Sequence, residues 1–248
     1  MTSNTLPAFR TIALISSLLL LGSAQAHHVW IEQDAKEAKL YFGEFGGNLR
    51  EASPGLLDKF VKPVAHKLTA KGSEPLQAVK TANGFALSAL AARGEALVAE
   101  DAAYPISERK EGDKTTRSLY TPAARLVTDY GRQEPRLTLD LLPTGKQDKD
   151  GVEVQAFYKG QPLPGAKVGL VTAAGWGQEH NTDEQGKLTV NLPWKGSYVL
   201  EVKHTDGAGE RGAEKYDRAS YVTSLTVMQS EGLAALPAAP AATPNKMN

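Results

Sequence analysis

The segments GQPLPGAKV (160–168), TDEQGKLTV (182–190) and GSYVL (196–200) decide the fold of this chain. A Pro/Gly turn leads into the first apolar run, an Asp/Gly turn leads into the second, and Gly196 opens the third. Apolar residues recur at every second position, which is typical of half-buried strands. We therefore expect a compact antiparallel β-sandwich, with strands at 152–158, 167–172, 187–192, 196–204 and 220–228.

The first half of the chain shows the same short alternating runs, separated by Gly, Pro, Asn and Asp. They predict strands at 28–33, 38–43, 66–71, 76–81, 85–90, 96–100 and 136–142. One short helix is predicted within 53–60, with Ser53 as its cap and Pro54 at its first position. The charged stretch 107–117 predicts an exposed loop or a solvated hairpin.

This pattern predicts an all-β protein of two antiparallel β-sandwich domains and one short helix. The domains are expected at 27–145 and 151–228, joined by a polar linker or long turn at 146–150. From residue 229 onward the composition turns to Ala, Pro and small polar residues. Such a segment buries too little apolar surface to order itself, so 229–248 is predicted to be a disordered tail.

Residues 1–26 have the organisation of a secretory signal peptide. Arg10 supplies the positive charge, 12–21 supplies a short apolar core, and Ala24-x-Ala26 supplies the small residues of a cleavage site. The apolar run is shorter than a membrane span requires, which is about 20 residues. We expect cleavage after Ala26, export to the periplasm and a mature chain without a membrane span.

Charge and cysteine content narrow the possible functions. The chain has 28 basic and 28 acidic residues, and loss of Arg10 with the signal peptide leaves 27 against 28. A neutral balance does not favour nucleic acid or an anionic membrane as partner. The chain has no cysteine, so any metal would be held by nitrogen and oxygen.

Motifs of hydrolases, metalloproteases and phosphate-binding loops are also missing from the sequence, and we predict no enzyme activity.

His27 would be the first residue after cleavage behind Ala26. Its free α-amine and its imidazole could then chelate copper, nickel, cobalt or zinc. Cleavage after Ala24 instead would place His27 third, where amine, two amides and imidazole form a square plane suited to copper(II) or nickel(II). The alternative without metal is that a histidine simply follows the cleavage site.

The remaining histidines are weaker candidates. His28 lies next to His27, but alternation along an extended strand places the two rings on opposite faces. His204 continues the inward stripe of its strand and is either a second ligand or a histidine at the edge of the core. His66 is kept as a candidate ligand, although an ordinary surface role is favoured for it and for His180.

The segments 160–168, 182–190 and 196–200 resemble the prealbumin-like or carboxypeptidase-regulatory-like sandwich, an Ig-like architecture. Joined to AHHVW (26–30) and LYFGEFG (40–46), the chain to about Met228 resembles an exported bacterial family of unknown function formerly labelled NikM-like. The resemblance implies a periplasmic accessory protein for nickel or cobalt uptake, with a membrane permease as its partner.

Two functions of different classes follow. The first is a periplasmic binding protein that captures nickel, cobalt or copper, or delivers it for transport, without turnover. The alternative is a structural or interaction module that binds a protein or carbohydrate through Trp176, Trp194 and Tyr198, of which Trp194 is expected to be the most exposed. A copper oxidase built on His27 has no further support in the sequence.

Intact-mass measurement of the exported protein tests the assumption common to these metal sites. We expect the mature chain to begin at His27, because the small residues of the cleavage site end at Ala26. A chain beginning at Gln25 would favour the square-planar arrangement instead. A start at any other residue would contradict both forms of the site.

Overall fold

The protein is described by a computed structural model over residues 27–245. The predicted signal peptide, 1–26, lies outside the described residues, as do 246–248. The elements in chain order are β1 (His28–Gln33), β2 (Ala38–Glu44), β3 (Leu49–Arg50), a 3₁₀-helix (Leu56–Lys59), β4 (Val64–Thr69), β5 (Gly72–Leu76), β6 (Ala78–Thr81), β7 (Gly84–Leu87), β8 (Ala96–Glu100), β9 (Ser107–Glu111), β10 (Lys114–Val127), β11 (Leu139–Asp148), β12 (Gly151–Tyr158), β13 (Gln161–Pro162), β14 (Lys167–Thr172), β15 (Gly177–Asn181), β16 (Lys187–Val190), β17 (Gly196–Asp206), β18 (Gly209–Arg211), β19 (Glu214–Tyr216) and β20 (Arg218–Gln229).

Apart from the small hairpin of β18 and β19, these strands form three layers, and a nine-stranded sheet is the middle layer. Its strand order is β15-β14-β17-β20-β10-β8-β4-β5, with β9 paired to β10. The sheet of β1, β2, β3, β6 and β7 covers one face, and the sheet of β11, β12, β13 and β16 covers the other. The all-β class predicted from the sequence is confirmed.

Alternation of side chains along the middle sheet fills a core on each face. On β17, Leu200 and Val202 pack towards the four-stranded sheet, whereas Val199 packs with Trp30 of β1. On β10, Ala124 packs towards β1 and β2. Neighbouring residues of a strand point to opposite faces, so a residue's position along β17 decides which core it joins. The same alternation places the neighbouring residues His27 and His28 on opposite faces of their sheet.

The middle sheet takes strands from both predicted halves of the chain. Strand β10 pairs in parallel with β20, with Pro122 opposite Val222. Residues 146–148 belong to β11, and 149–150 form the turn into β12. The segment predicted as a linker is therefore largely the end of a hairpin. The division into two domains stays a prediction.

Strand β10 is the main element that the sequence did not predict. The exposed hairpin expected at 107–117 is formed by β9 and the start of β10, but β10 then continues, buried, to Val127. The sequence pattern does not predict this strand for two reasons. Its beginning is charged, and it contains Pro122, whereas a proline within a run normally indicates an edge strand or the end of a strand.

The short helix begins later than predicted. It covers Leu56–Lys59, and Gly55 occupies the cap position. The Ser53 hydroxyl donates to Asp58 Oδ1 at 2.7 Å, and the Gly55 amide donates to Asp58 Oδ2 at 3.0 Å. Asp58 thus organises this turn, which the sequence pattern assigned to a Ser53 cap.

The tail predicted as disordered lies against the rest of the protein in the structure. The Leu233 amide donates to Pro193 O at 2.8 Å, and the Ala239 amide donates to Ala173 O at 2.9 Å. Most of its side chains are exposed, in agreement with the composition. Composition cannot account for these contacts, because they are made by the backbone.

A buried ion pair links the middle sheet to the four-stranded sheet. Arg125 of β10 donates to both carboxylate oxygens of Asp140 on β11, at 2.9 and 2.6 Å, and neither side chain is exposed. Arg125 also reaches Gln133 Oε1, and the Leu137 amide donates to Asp140. Each charge is therefore compensated, which makes burial of the pair tolerable.

Replacing Asp140 by Ala should lower the free energy of unfolding by about 3–5 kcal/mol, because it leaves the Arg125 guanidinium buried without a partner. Urea unfolding measures the change. The matched control is Glu111→Ala in the exposed Arg109–Glu111 pair, where the loss should be at most about 1 kcal/mol. Equal losses in the two variants would contradict a structural role for the buried pair.

Candidate functional site

The return from β2 to β3 brings Glu51 beside His27. Gly43 on β2 lies opposite Arg50, and the Glu51 amide donates to Phe42 O at 2.8 Å. Only glycine fits at position 43, where φ is 146° and a Cβ atom would lie 2.1 Å from Leu49 O. Since β1 pairs with the other edge of β2, residue 27 comes to lie next to this return.

Glu51 fixes the orientation of the His27 ring. His27 Nε2 lies 2.5 Å from Glu51 Oε1, and the Glu51 side chain is completely buried. A carboxylate only accepts hydrogen bonds, so the neutral form of the ring that fits this contact is the tautomer with its proton on Nε2 and its lone pair on Nδ1. The ring also contacts Phe42, with 5.2 Å between the ring centroids.

The lone pair of His27 Nδ1 has a second carboxylate as its neighbour. Glu44 Oε1 lies 3.8 Å from Nδ1, and the two side chains are 25% and 26% exposed. This separation is longer than a hydrogen bond between nitrogen and oxygen. His27 and Glu44 therefore present a nitrogen and an oxygen donor at a site that solvent can reach.

The backbone of His27 is held from the middle sheet. The Tyr120 hydroxyl of β10 donates to His27 O at 3.2 Å. Burial raises the pKa of Tyr120, so its hydroxyl stays protonated and remains a donor. The first described residue is thus fixed through both its ring and its carbonyl.

Asn245 reaches the same carboxylate from the other end of the described chain. Its backbone amide donates to Glu51 Oε2 at 2.9 Å, and its side-chain Nδ2 donates to Glu51 Oε1 at 2.6 Å. Nδ2 also lies 3.3 Å from His27 Nε2. Both oxygens of Glu51 consequently have partners, as a buried carboxylate requires.

His28 points away from this site, as alternation predicted. Its ring is buried, and Nδ1 lies 3.1 Å from Glu201 Oε2 of β17. Burial alone would raise the pKa of Glu201, but hydrogen bonding and charge from His28 and Lys203 hold it below its usual value. His28 thus contacts a carboxylate in the interior rather than sharing donors with His27.

The other candidate ligands lie on the far face of the middle sheet. His204 stacks on Tyr158 of β12, with ring centroids 4.1 Å apart, whereas Glu201 of the same strand faces His28. His66 Nδ1 contacts Ser73 Oγ at 3.1 Å, and its neighbour Ala65 points to the core beneath β1 and β2. The structure therefore does not bring His204 or His66 to His27.

His180 is also placed apart from the site. It lies on the exposed strand β15, where Nε2 contacts Gln178 Oε1 at 3.1 Å. Within residues 27–245, the structure contains no group of three or more His, Asp or Glu side chains arranged to hold a metal ion. A metal at His27 would accordingly need a donor other than such side chains.

The aromatic residues of the alternative function are less available than the sequence suggested. Tyr198 is buried, and its hydroxyl donates to Trp194 O at 3.0 Å and accepts from the Trp194 amide at 2.8 Å. Trp176 and Trp194 are partly buried and contact each other edge to face, 4.7 Å apart. These rings pack mainly on one another and on the core.

Glu44, Glu51 and Asn245 are the site residues that the sequence did not predict. Glu44 lies within the segment LYFGEFG (40–46), and Glu51 directly follows β3. Their proximity to His27 depends on strand pairing and on a tail contact about 200 residues away, for which a single sequence carries no signal.

The chain matches no protein-family profile and no curated protein. Among residues 27–245, the structure has no helix of the length and apolar character needed to cross a membrane.

Replacing Glu51 by Ala should lower the free energy of unfolding of the metal-free protein by about 1–3 kcal/mol, because it leaves the donors of His27 and Asn245 unsatisfied. Glu44→Ala is the matched control on a partly exposed carboxylate and should change the free energy of unfolding by about 0.5 kcal/mol or less. Urea unfolding of both variants provides the comparison. A loss in Glu44→Ala as large as that in Glu51→Ala would argue against a special role for the buried carboxylate.

Proposed function

We propose that this protein is exported to the periplasm and binds a divalent transition metal ion, nickel, cobalt or copper, at His27. The donors are His27 Nδ1, the α-amine released by cleavage after Ala26, and the Glu44 carboxylate. Nitrogen and oxygen donors of this kind suit these metals, and the chain has no thiolate to offer.

The observation that carries the proposal is the orientation of the His27 ring. Glu51 engages Nε2, which leaves Nδ1 as the nitrogen available to a metal. Nδ1 is also the ring nitrogen that forms a six-membered chelate with the residue's own backbone nitrogen. Nδ1 would be the ligating ring nitrogen whether cleavage follows Ala26 or Ala24. The orientation of the ring is therefore compatible with both chelate geometries.

The spacing of His27 and Glu44 also supports the proposal. Bonds from imidazole nitrogen and carboxylate oxygen to zinc are about 2.0–2.2 Å long, and those of neighbouring divalent metals are similar. The 3.8 Å between Nδ1 and Glu44 Oε1 is less than the sum of two such bonds. A single ion between the two atoms can therefore reach both.

The Glu51 contact has the form of an outer-shell hydrogen bond to a ligand. Metal-binding histidines commonly donate their other ring N–H to a carboxylate, which fixes the tautomer and increases the basicity of the ligating nitrogen. Glu51 is buried and bonded to two partners, so it is well placed for this role. Its position favours binding of a metal over simple surface exposure of the histidine.

The proposed role is capture or delivery of the ion without turnover. The resemblance to the exported NikM-like family implies a membrane permease as the recipient. The donors of His27 and Glu44 are about a quarter exposed, which suits an ion that must be passed on, since a partner can approach them.

Titration of the mature protein with copper(II) and nickel(II) tests this function. We expect one equivalent to bind, and His27→Ala to abolish that site. Glu51→Gln should weaken binding by about 10–100-fold, because it disturbs an outer-shell partner of the ligand. Isothermal calorimetry provides both stoichiometry and affinity.

Two controls make the titration specific to the amine and ring of His27. Acetylation of the terminal amine should weaken binding strongly, whereas His180→Ala should leave the site unchanged because that residue lies on a distant edge strand. Binding that survives both His27→Ala and acetylation would place the metal elsewhere. No binding of either metal would refute the proposed function.

A further inference from the structure

The C-terminal segment 233–245 runs along the protein surface from Trp194 to the His27 site; we call it the strap. Leu233 forms an isolated parallel β-bridge with Trp194. The Ala239 carbonyl accepts a hydrogen bond of 2.7 Å from Asn48 Nδ2. The Ala242 amide donates to Asn48 O at 3.1 Å. These contacts lead the strap over the turn between β2 and β3 and end it at Glu51.

We propose that docking of the strap is coupled to metal binding at His27, and that Asn245 is a positioning residue that acts through Glu51. This inference rests on the proposed function. The contacts of Asn245 go to Glu51 and to His27 Nε2, so it meets the site on the side of the ring opposite Nδ1 and Glu44.

Geometry determines the direction of the coupling. Asn245 gives two hydrogen bonds to Glu51, one to each oxygen, and so holds the plane of the carboxylate that engages His27. The side of the ring that carries Nδ1 stays open towards Glu44, and both side chains there are about a quarter exposed. The docked strap therefore orders the ligand without covering it, and it should strengthen metal binding.

Linkage requires the converse effect. If the docked strap raises affinity for the ion, then the ion must stabilise the docked strap by the same factor. The strap is held mainly by a few exposed backbone hydrogen bonds, so it should open more readily than the cores of the protein. Hydrogen exchange at its amides is thus a readout of the coupling that is independent of the affinity measurement.

The test compares Asn245→Asp and Asn245→Ala with Thr243→Asp in the full mature chain. Asn245→Asp replaces a donor by a carboxylate beside Glu51 and should displace the end of the strap. We expect copper(II) affinity to fall by about tenfold, the lower end of the range for outer-shell partners. Asn245→Ala should weaken copper(II) binding less than Asn245→Asp. Thr243→Asp introduces the same charge at an exposed position of the strap and should hardly change the affinity.

Two further measurements separate positioning from a loss of folding. Urea unfolding of the metal-free variants should show that each is fully folded under the conditions of the titration, since the strap contributes little to either core. Copper(II) should slow exchange of the Asn245 and Ala242 amides in the unaltered protein, and it should have no such effect in His27→Ala.

The outcomes distinguish the inference from the function on which it rests. Equal copper(II) affinity in all variants, or exchange of the strap that copper(II) does not slow, would overturn the coupling while the metal site stands. Absence of copper(II) binding in the unaltered protein would overturn both.

Discussion

A carboxylate without contact with solvent must have hydrogen-bond donors, and Glu51 obtains them from the two ends of the described chain. Its partners are the His27 ring, immediately before the first strand, and Asn245. Burial makes these contacts obligatory, because an unpaired charge in the interior is costly. The requirement fixes the tautomer of His27, and the tautomer decides which nitrogen is available to a metal.

The three-layer architecture places this carboxylate. Strand β1 lies over the middle sheet, where Ser224 of β20 donates to Val29 O and Tyr120 of β10 donates to His27 O. The middle sheet is in turn fixed to the third layer by Arg125 and Asp140. If cleavage makes His27 the first residue, as proposed, such a terminal histidine would ordinarily be mobile. Here the Tyr120 hydroxyl holds its backbone carbonyl and Glu51 holds its ring.

Much of the fold could be predicted from the sequence, because alternating apolar residues and Gly, Pro and Asp turns mark most of the strands. Strands β1 and β8 begin and end where the pattern placed them. The parallel pairing of β10 with β20 could not be predicted, since a proline interrupts the run and pairing partners are distant in sequence. Of the site, alternation correctly separated His27 from His28, but Glu44 and Glu51 come near His27 only through the register of β1, β2 and β3.

The most direct measurement is anomalous diffraction at the copper edge from crystals of the mature protein loaded with one equivalent of copper(II). The account predicts a single ion within about 2.0–2.2 Å of His27 Nδ1 and the terminal amine, with Glu44 as an oxygen ligand and Glu51 still bonded to Nε2. An ion at His66, His180 or His204, or one bound through His27 Nε2 with Glu51 displaced, would contradict it.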